Sequence, residues 1–282
     1  MNDPLVYLNG ATGPLSEAKV SVMDRGFIFG DGIYEVIPVY GRKMFRSDQH
    51  IARLFRSLAA IGIPNPHTKE QWLALIGPVM DAHAANDQMV YLQVTRGVAK
   101  RAHAFPSEVV PTVFIMTNPI VLPSDTVRAK GVKCVSMEDQ RWLHCDIKST
   151  SLLGNVLAAQ NAVENSAMES VQFRDGYLTE AAASNVWIVK DGVLMAPPKD
   201  NLILEGIRYS LIEELCAAEK ISFKACRILR ADVFGADEVL LSSATKEVLA
   251  VVQLDEQTIG KGVPGPIYEK LYKAYQAAKA AS

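Results

Sequence analysis

The sequence predicts a two-domain α/β (α+β) fold, and three observations carry that expectation. The chain has 282 residues, more than one typical domain holds. Hydrophobic residues make up 49% of it, enough to fill two cores. Strand-like runs closed by turn signals alternate with helix-period apolar patterns on both sides of a break at residues 118–124, which holds Pro119 and Pro123 and shows little periodicity. We place the linker at residues 120–125. It separates a smaller N-terminal α/β domain, residues 1–119, from a larger mixed α/β domain, residues 126–282.

In the first domain, Asn9-Gly10, Asp31-Gly32 and Tyr40-Gly41 read as hairpin turns, the last lying between strand-like residues 33–39 and 43–45. Two amphipathic helices follow. One buries Ile51, Leu54, Phe55 and Leu58, and the other Trp72, Leu73, Ile76, Val79 and Met80, both at a 3.6-residue period. Strands are predicted at residues 89–95 and 112–117.

Beyond the linker, residues 132–136 read as a strand. Ser149 or Thr150 can cap a helix whose apolar side carries Leu152, Leu153, Val156 and Leu157, which sets Lys148 at the helix entrance. Asp175-Gly176 and Asp191-Gly192 bracket a strand at residues 184–190. A helix begins near Gly206 with Ile207, Leu211, Ile212 and Leu215 inward. Residues 238–241 form a strand leading into Ser242-Ser243-Ala244-Thr245, and an amphipathic helix over residues 267–278 closes the chain. No internal repeat or low-complexity tract is evident.

Composition narrows the function classes. Charges make up 21% and nearly cancel, to a formal -2, unlike the basic surface of a nucleic-acid binder. Cys134, Cys145, Cys216 and Cys226 form no CxxC pair and have no histidine at metal-ligand spacing, so reduced thiols are expected rather than disulfides or a metal site. The start, Met-Asn-Asp-Pro, lacks a basic or apolar leader, and no run approaches the roughly 20 apolar residues of a membrane span. A cytoplasmic protein with no membrane partner is expected.

Three clusters stand out chemically: Asp146-Ile147-Lys148-Ser149, Thr179-Glu180 with Ser184-Asn185, and Glu205-Gly206-Ile207-Arg208. A lysine between an apolar residue and a helix cap is unusual, because burial lowers its pKa and favours the neutral, nucleophilic amine. Lys148 taken alone also fits a snorkelling surface lysine, and Glu180 a solvated carboxylate at a strand end.

Taken in order, five stretches give these clusters a context: Asp24-Arg25-Gly26 with Phe29 to Glu35, His50 to Leu54, Arg141-Trp142 with Asp146 to Ser149, Leu178 to Asn185, and Leu204 to Arg208. Over nearly its whole length the chain resembles the fold-type IV aminotransferases, a family that includes D-amino acid aminotransferases, branched-chain aminotransferases and aminodeoxychorismate lyases. The resemblance implies a C-terminal pseudo-barrel domain and pyridoxal 5'-phosphate held between the domains. It makes Lys148 the Schiff-base lysine and the shuttle of the substrate Cα proton, and sets Glu180 against the pyridine nitrogen. A carboxylate there favours the protonated, electron-accepting ring. Where the family often carries serines after this glutamate, residues 181–183 are alanines.

The resemblance also assigns a phosphate cradle: Arg53 as the cation, the amides after Gly206 at Ile207, and Ser243, Ala244 and Thr245. Leu204 packs on the ring, and Arg141 lies near its phenolic oxygen. Arg101-Ala102-His103, with Tyr34, resembles the substrate-carboxylate trap of the D-amino acid branch, whose members are homodimers in which the loop of one subunit closes the partner's site. The implied reaction is ping-pong transfer between D-amino acids such as D-alanine or D-glutamate and 2-oxo acids such as pyruvate or 2-oxoglutarate, without a metal. The alternatives are a branched-chain L-amino acid aminotransferase, an R-selective amine transaminase, a lyase of the aminodeoxychorismate type, or a cofactor-binding protein without turnover.

Overall fold

The computed structural model of the chain describes residues 3–281. These residues form two compact units, the first running to Ile120 and including Ile147–Leu152, the second comprising Val121–Asp146 and the residues from Leu153 onward.

In the first unit, β1 (Leu5–Leu8) and β2 (Ala11–Pro14) are joined at Asn9 and Gly10, whose φ values of 49° and 94° suit a tight hairpin. A five-residue helix follows, α1 (Arg25–Phe29), which the sequence reading did not foresee. The Asp24 side chain caps it, and Gly30, in the left-handed region, ends it. Asp31-Gly32 is therefore not a hairpin turn: the reversal happens at Gly30, and Gly32 already opens β3 (Gly32–Tyr40). Next come β4 (Lys43–Met44), α2 (Ser47–Ala60), α3 (Lys69–Ala82), β5 (Gln88–Thr95) and β6 (Thr112–Pro119). The sheet is antiparallel, in the order β2-β1-β6-β5-β3-β4.

The foreseen stripes of both helices, Ile51, Leu54 and Leu58 with Trp72, Ile76 and Val79, are buried against Ile33, Ile37, Val90, Leu92, Val94 and Ile115 of the sheet. Each such side chain contributes about 1.5–3 kcal/mol on burial. A capping box, Thr68 with Gln71, starts α3.

Residues Ile147–Leu152 join this unit as an extended segment beside the start of β3. The Tyr34 amide donates to the Lys148 carbonyl at 3.0 Å, Ile33 bridges Ser149, and the Thr150 amide donates to the Gly32 carbonyl at 2.9 Å. Lys148 thus lies on a strand-like segment, not at a helix entrance. Neither residue expected to cap a helix does so: Thr150 Oγ1 donates to the Gly30 carbonyl, as does the neighbouring Ser151 Oγ, and Ser149 is held by its backbone bridge to Ile33.

The second unit contains α4 (Asp125–Lys130), β7 (Val132–Glu138), α5 (Leu153–Glu164), β8 (Ser170–Arg174), β9 (Tyr177–Ala181), β10 (Asn185–Lys190) and β11 (Val193–Ala196). After these run α6 (Ile207–Ala218), β12 (Ser222–Ala225), α7 (Arg230–Phe234), β13 (Glu238–Ser243), β14 (Glu247–Leu254), β15 (Gln257–Thr258) and α8 (Pro266–Ala280). Short α4 and α7 were not foreseen.

Its sheet runs β12-β11-β10-β13-β14-β7-β8-β9, with β15 on β14. In that order β9 and β10 are five strand spacings apart, about 24 Å on a flat sheet. Only residues 182–184 connect them, reaching about 14 Å at most from Ala181 to Asn185. The sheet must curl on itself. An apolar interior of Phe173, Leu178, Val186, Ile188, Val239, Leu241, Leu249 and Val251 fills the curl.

One foreseen face is reversed. Leu153, Val156 and Leu157 of α5 are exposed by 72%, 58% and 55%, while Ala158 and Ala162 are buried. Periodicity located the apolar stripe, but the small residues make the contact within this chain. Among the described residues no helix is long and apolar enough to cross a membrane.

Candidate active site

The foreseen residues fall into two groups, one in each unit. The first is built on β3. Strand alternation turns Tyr34 away from the core and turns Glu35 toward it, beside Ile33 and Ile37. A buried carboxylate needs partners, and α2 supplies them one turn apart. His50 Nδ1 lies 2.9 Å from Glu35 Oε2, and Arg53 Nη2 and Nε reach Glu35 Oε1 at 2.5 and 3.1 Å. Burial pushes the Glu35 carboxyl up, but the charges of Arg53 and His50 overcome it and hold it at about 2.

Lys148 is half-buried on the other side of the strand, its Nζ 4.0 Å from the centre of the Tyr34 ring. Its amide donates to Ser57 Oγ of α2 at 3.4 Å. The amine is thereby anchored at the backbone on both sides, with its tip left over an aromatic face.

Arg101 and His103 lie on an exposed loop and gather on Phe29: the guanidinium is 5.4 Å and the imidazole ring 5.6 Å from that ring's centre. Tyr34 stacks on Tyr91 instead, at 5.8 Å. Among the described residues no hydrogen bond, ion pair or ring contact joins Tyr34 to Arg101 or His103.

The second group centres on Glu180 at the end of β9. Arg141 Nη1 donates to Glu180 Oε1. Asn185 Nδ2 and the Leu204 amide donate to Oε2 at 3.3 and 3.1 Å. Arg141 turns its fork on Asp139, with Nε and Nη2 at 2.9 and 2.8 Å from the two carboxylate oxygens. The two acids therefore diverge. Burial pushes Asp139 up, yet the Arg141 fork holds it below the carboxylate range, whereas Glu180 receives one N–H of that guanidinium and burial pushes it up to about 7.

Asn185 also donates to the Leu204 carbonyl at 2.9 Å, tying the strand end to the turn before α6. A Cβ on Gly206 would run into Asn185 Oδ1, so glycine is required there by a close approach. Gly206 is the N-cap of α6 and carries no capping side chain, so the amide of Ile207 opens a first turn without an intrahelical acceptor. Ser243 ends β13, and Ala244 and Thr245 lie on the turn that leads to β14, with the hydroxyl oxygens of Ser243 and Thr245 3.5 Å apart. The neighbouring Lys246 pairs with buried Glu169 at 2.8 Å, and Ser184 Oγ donates to the same carboxylate.

Sequence reasoning assigned no role to Glu35, His50 or Asp139. A signal existed for Glu35: strand alternation puts a carboxylate at a core position, which demands a cation. Asp139, two residues before Arg141, gave none.

Known proteins place the chain further. The family model described as amino-transferase class IV matches residues 32–254. The chain is 40% identical over 271 residues, covering 96% of this chain and 95% of the relative, to D-alanine aminotransferase of Bacillus licheniformis. To D-alanine aminotransferase of Staphylococcus aureus strain N315 it is 41% identical over 272 residues, 96% of each chain. Its fold is that of the branched-chain amino acid aminotransferase of Escherichia coli, with a TM-score of 0.92 at 22% identity over 98% of this chain and 94% of the other.

Proposed function

We propose, from the premise that the chain belongs to the class IV aminotransferases, that it is a pyridoxal phosphate-dependent D-amino acid aminotransferase. It moves an amino group between D-amino acids, D-alanine and D-glutamate first among them, and 2-oxo acids such as pyruvate and 2-oxoglutarate. The observation that carries the reading is the Arg101-x-His103 loop gathered on Phe29, in a chain 40% identical over 96% of its length to a D-alanine aminotransferase.

The residues present fit the cofactor. A buried carboxylate whose pKa burial pushes up to about 7 suits a partner for a ring nitrogen, and Glu180 is that group. The uncapped first turn of α6, the close approach at Gly206 and the paired hydroxyls of Ser243 and Thr245 are donors suited to a phosphate, with the Ala244 amide between them. Arg53 supplies the cation, Leu204 covers one ring face, and Arg141 serves the phenolic oxygen while bracing Glu180.

Pyridoxal phosphate, when bound, supplies an electrophilic carbon and a ring that accepts the Cα electrons. Lys148 binds it through Nζ, and on release the same nitrogen takes the proton from the substrate Cα, so one residue is anchor and general base. Glu180 keeps a proton at the ring nitrogen. Tyr34, Arg101 and His103 orient the substrate carboxylate by directed and charge-assisted hydrogen bonds.

The active species is a homodimer. Leu153, Val156, Leu157 and Val163 of α5 are large apolar side chains left exposed on one helix, the kind of surface a partner subunit covers. The four cysteines are unpaired, as suits the reducing cytoplasm in which we place the enzyme. The test is to incubate purified enzyme with D-alanine or L-leucine, each with 2-oxoglutarate, and separately with aminodeoxychorismate. Pyruvate from D-alanine is expected; turnover of L-leucine alone, or of aminodeoxychorismate alone, would overturn the reading.

A further inference from the structure

Arg25 is 3% exposed, yet every hydrogen-bond partner of its guanidinium but one, Asp31, belongs to an exposed loop. Nη1 donates to the carbonyls of Ala102 and Ala104 at 2.6 and 3.3 Å, and Nη2 to the carbonyl of His103 at 3.3 Å. Along an extended segment successive carbonyls point in opposite directions. Three consecutive carbonyls converging on one fork therefore mean that the loop is bent around Arg25. The bend brings Arg101 and His103, two residues apart, onto the same ring of Phe29, and the Arg25 guanidinium itself lies 4.9 Å from that ring's centre.

The fork is aimed from below. Asp31 Oδ2 accepts from Arg25 Nε at 2.7 Å and from Arg96 Nε at 2.8 Å, while Oδ1 accepts from Arg96 Nη2 at 3.0 Å. Burial pushes the Asp31 carboxyl up, but the hydrogen bonds of Arg96 and Arg25 hold it below its ordinary value, so it stays charged between them. Arg96, 2% exposed, is locked in turn by the Ile61 and Gly62 carbonyls at 2.6 and 3.0 Å, and stacks on Phe105 at 3.5 Å. The chain of contacts runs from the end of α2 through Arg96, Asp31 and Arg25 to the loop.

We propose that Arg25, aimed by Asp31, is the positioning residue of the carboxylate trap: it sets the backbone of residues 102–104 so that Arg101 and His103 are presented together. This rests on the reading that Arg101 and His103 bind the substrate carboxylate. Arg25 itself touches no substrate. Lysine cannot replace it, because an ammonium has three N–H donors on one atom and Arg25 makes four hydrogen bonds from three nitrogens, to Asp31 and to three carbonyls.

The test uses the holoenzyme variants Arg25→Lys, Arg101→Ala and the double variant. The D-alanine dissociation constant and the limiting rate come from single-turnover conversion, and amide hydrogen exchange is followed over residues 98–106. Arg25→Lys is expected to raise the dissociation constant about tenfold, to leave the limiting rate within about twofold, and to speed exchange in this segment. In the Arg101→Ala background the same change should cost less than in the wild type, because only His103 is left for Arg25 to present and residues acting through one trap are non-additive. Where Arg25→Lys does not accumulate as folded protein, Asp31→Asn takes its place with the same expectations. An unchanged dissociation constant in Arg101→Ala overturns the trap and this inference with it. A raised constant in Arg101→Ala beside a normal one in Arg25→Lys, or full additivity in the double variant, overturns the inference alone.

Discussion

The side-chain nitrogen of Lys148 stands 4.0 Å from the centre of the Tyr34 ring, and the Tyr34 amide donates a 3.0 Å hydrogen bond to the Lys148 carbonyl. The strand that offers an aromatic face to the amine is thus the strand that fixes its backbone. If Lys148 forms the Schiff base as proposed, the purified enzyme should be yellow. Borohydride reduction followed by peptide mapping should find the pyridoxyl label on Lys148, and a label on any other lysine removes Lys148 from the centre of the mechanism.

Glu180→Gln should keep the cofactor and lose transamination on the order of a hundredfold, since an amide cannot hold a proton at the ring nitrogen as a carboxylate does. The amide oxygen, in the place of Oε2, can still accept from Asn185 and the Leu204 amide, so the fold around β9 should survive the loss of the Arg141 hydrogen bond to Oε1. Cofactor absorbance and kcat on the same preparation check this, and wild-type turnover would refute the role.

The two helices and most hairpins of the first unit were legible because their signals are local: apolar side chains at a 3.6 period in α2 and α3, and Asn9-Gly10 with positive φ at both residues. Short α1 and α7, five residues each, offer no period to detect. At Ser149 and Thr150 a valid local cap signal lost to tertiary pairing with Ile33 and Gly32, which delayed the helix to Leu153. The residues around the candidate site were legible as a list, not as an arrangement. Nothing in sequence spacing shows that Glu35 meets Arg53 across 18 positions, or that Arg25 meets the loop 77 residues away.

Glu35 should dominate an acid-induced loss of stability. Its folded-state pKa is held at about 2 against an ordinary 4.5, a depressed carboxyl. Its contribution is therefore fully present above about pH 4.5 and disappears as the pH falls toward 2, on the order of 3 kcal/mol in all. Glu35→Gln should be less stable at pH 7 by about 3–5 kcal/mol, because Arg53 and His50 are left buried beside a neutral amide. It should also lose stability less steeply than the wild type between pH 4.5 and 2. Denaturant titrations across that range check the sign, and equal slopes for the two proteins would exclude Glu35 as the titrating group.

Arg101 and His103 should recognise the substrate carboxylate in the partner's site. Within one chain they gather on Phe29, whereas Tyr34 lies on Tyr91 and beneath Lys148, and no contact among the described residues joins the two sets. A loop lent across a two-fold axis supplies each site once and both sites alike. Truncating Arg101 removes a charged hydrogen-bonding partner, about 1.5–3 kcal/mol, so kcat/KM for D-alanine should fall roughly ten- to a hundredfold. Lys148→Ala abolishes turnover in its own site but leaves its loop intact, while Arg101→Ala leaves its lysine intact. Mixing the two variants under conditions that allow subunit exchange should therefore yield dimers in which one site has both the lysine and a sound loop, and about a quarter of wild-type activity should return in a statistical mixture. Exchange is followed independently with differently tagged subunits. If mixed dimers form and activity stays at the level of the Arg101→Ala parent alone, the trap is built within one subunit and the borrowed loop is wrong.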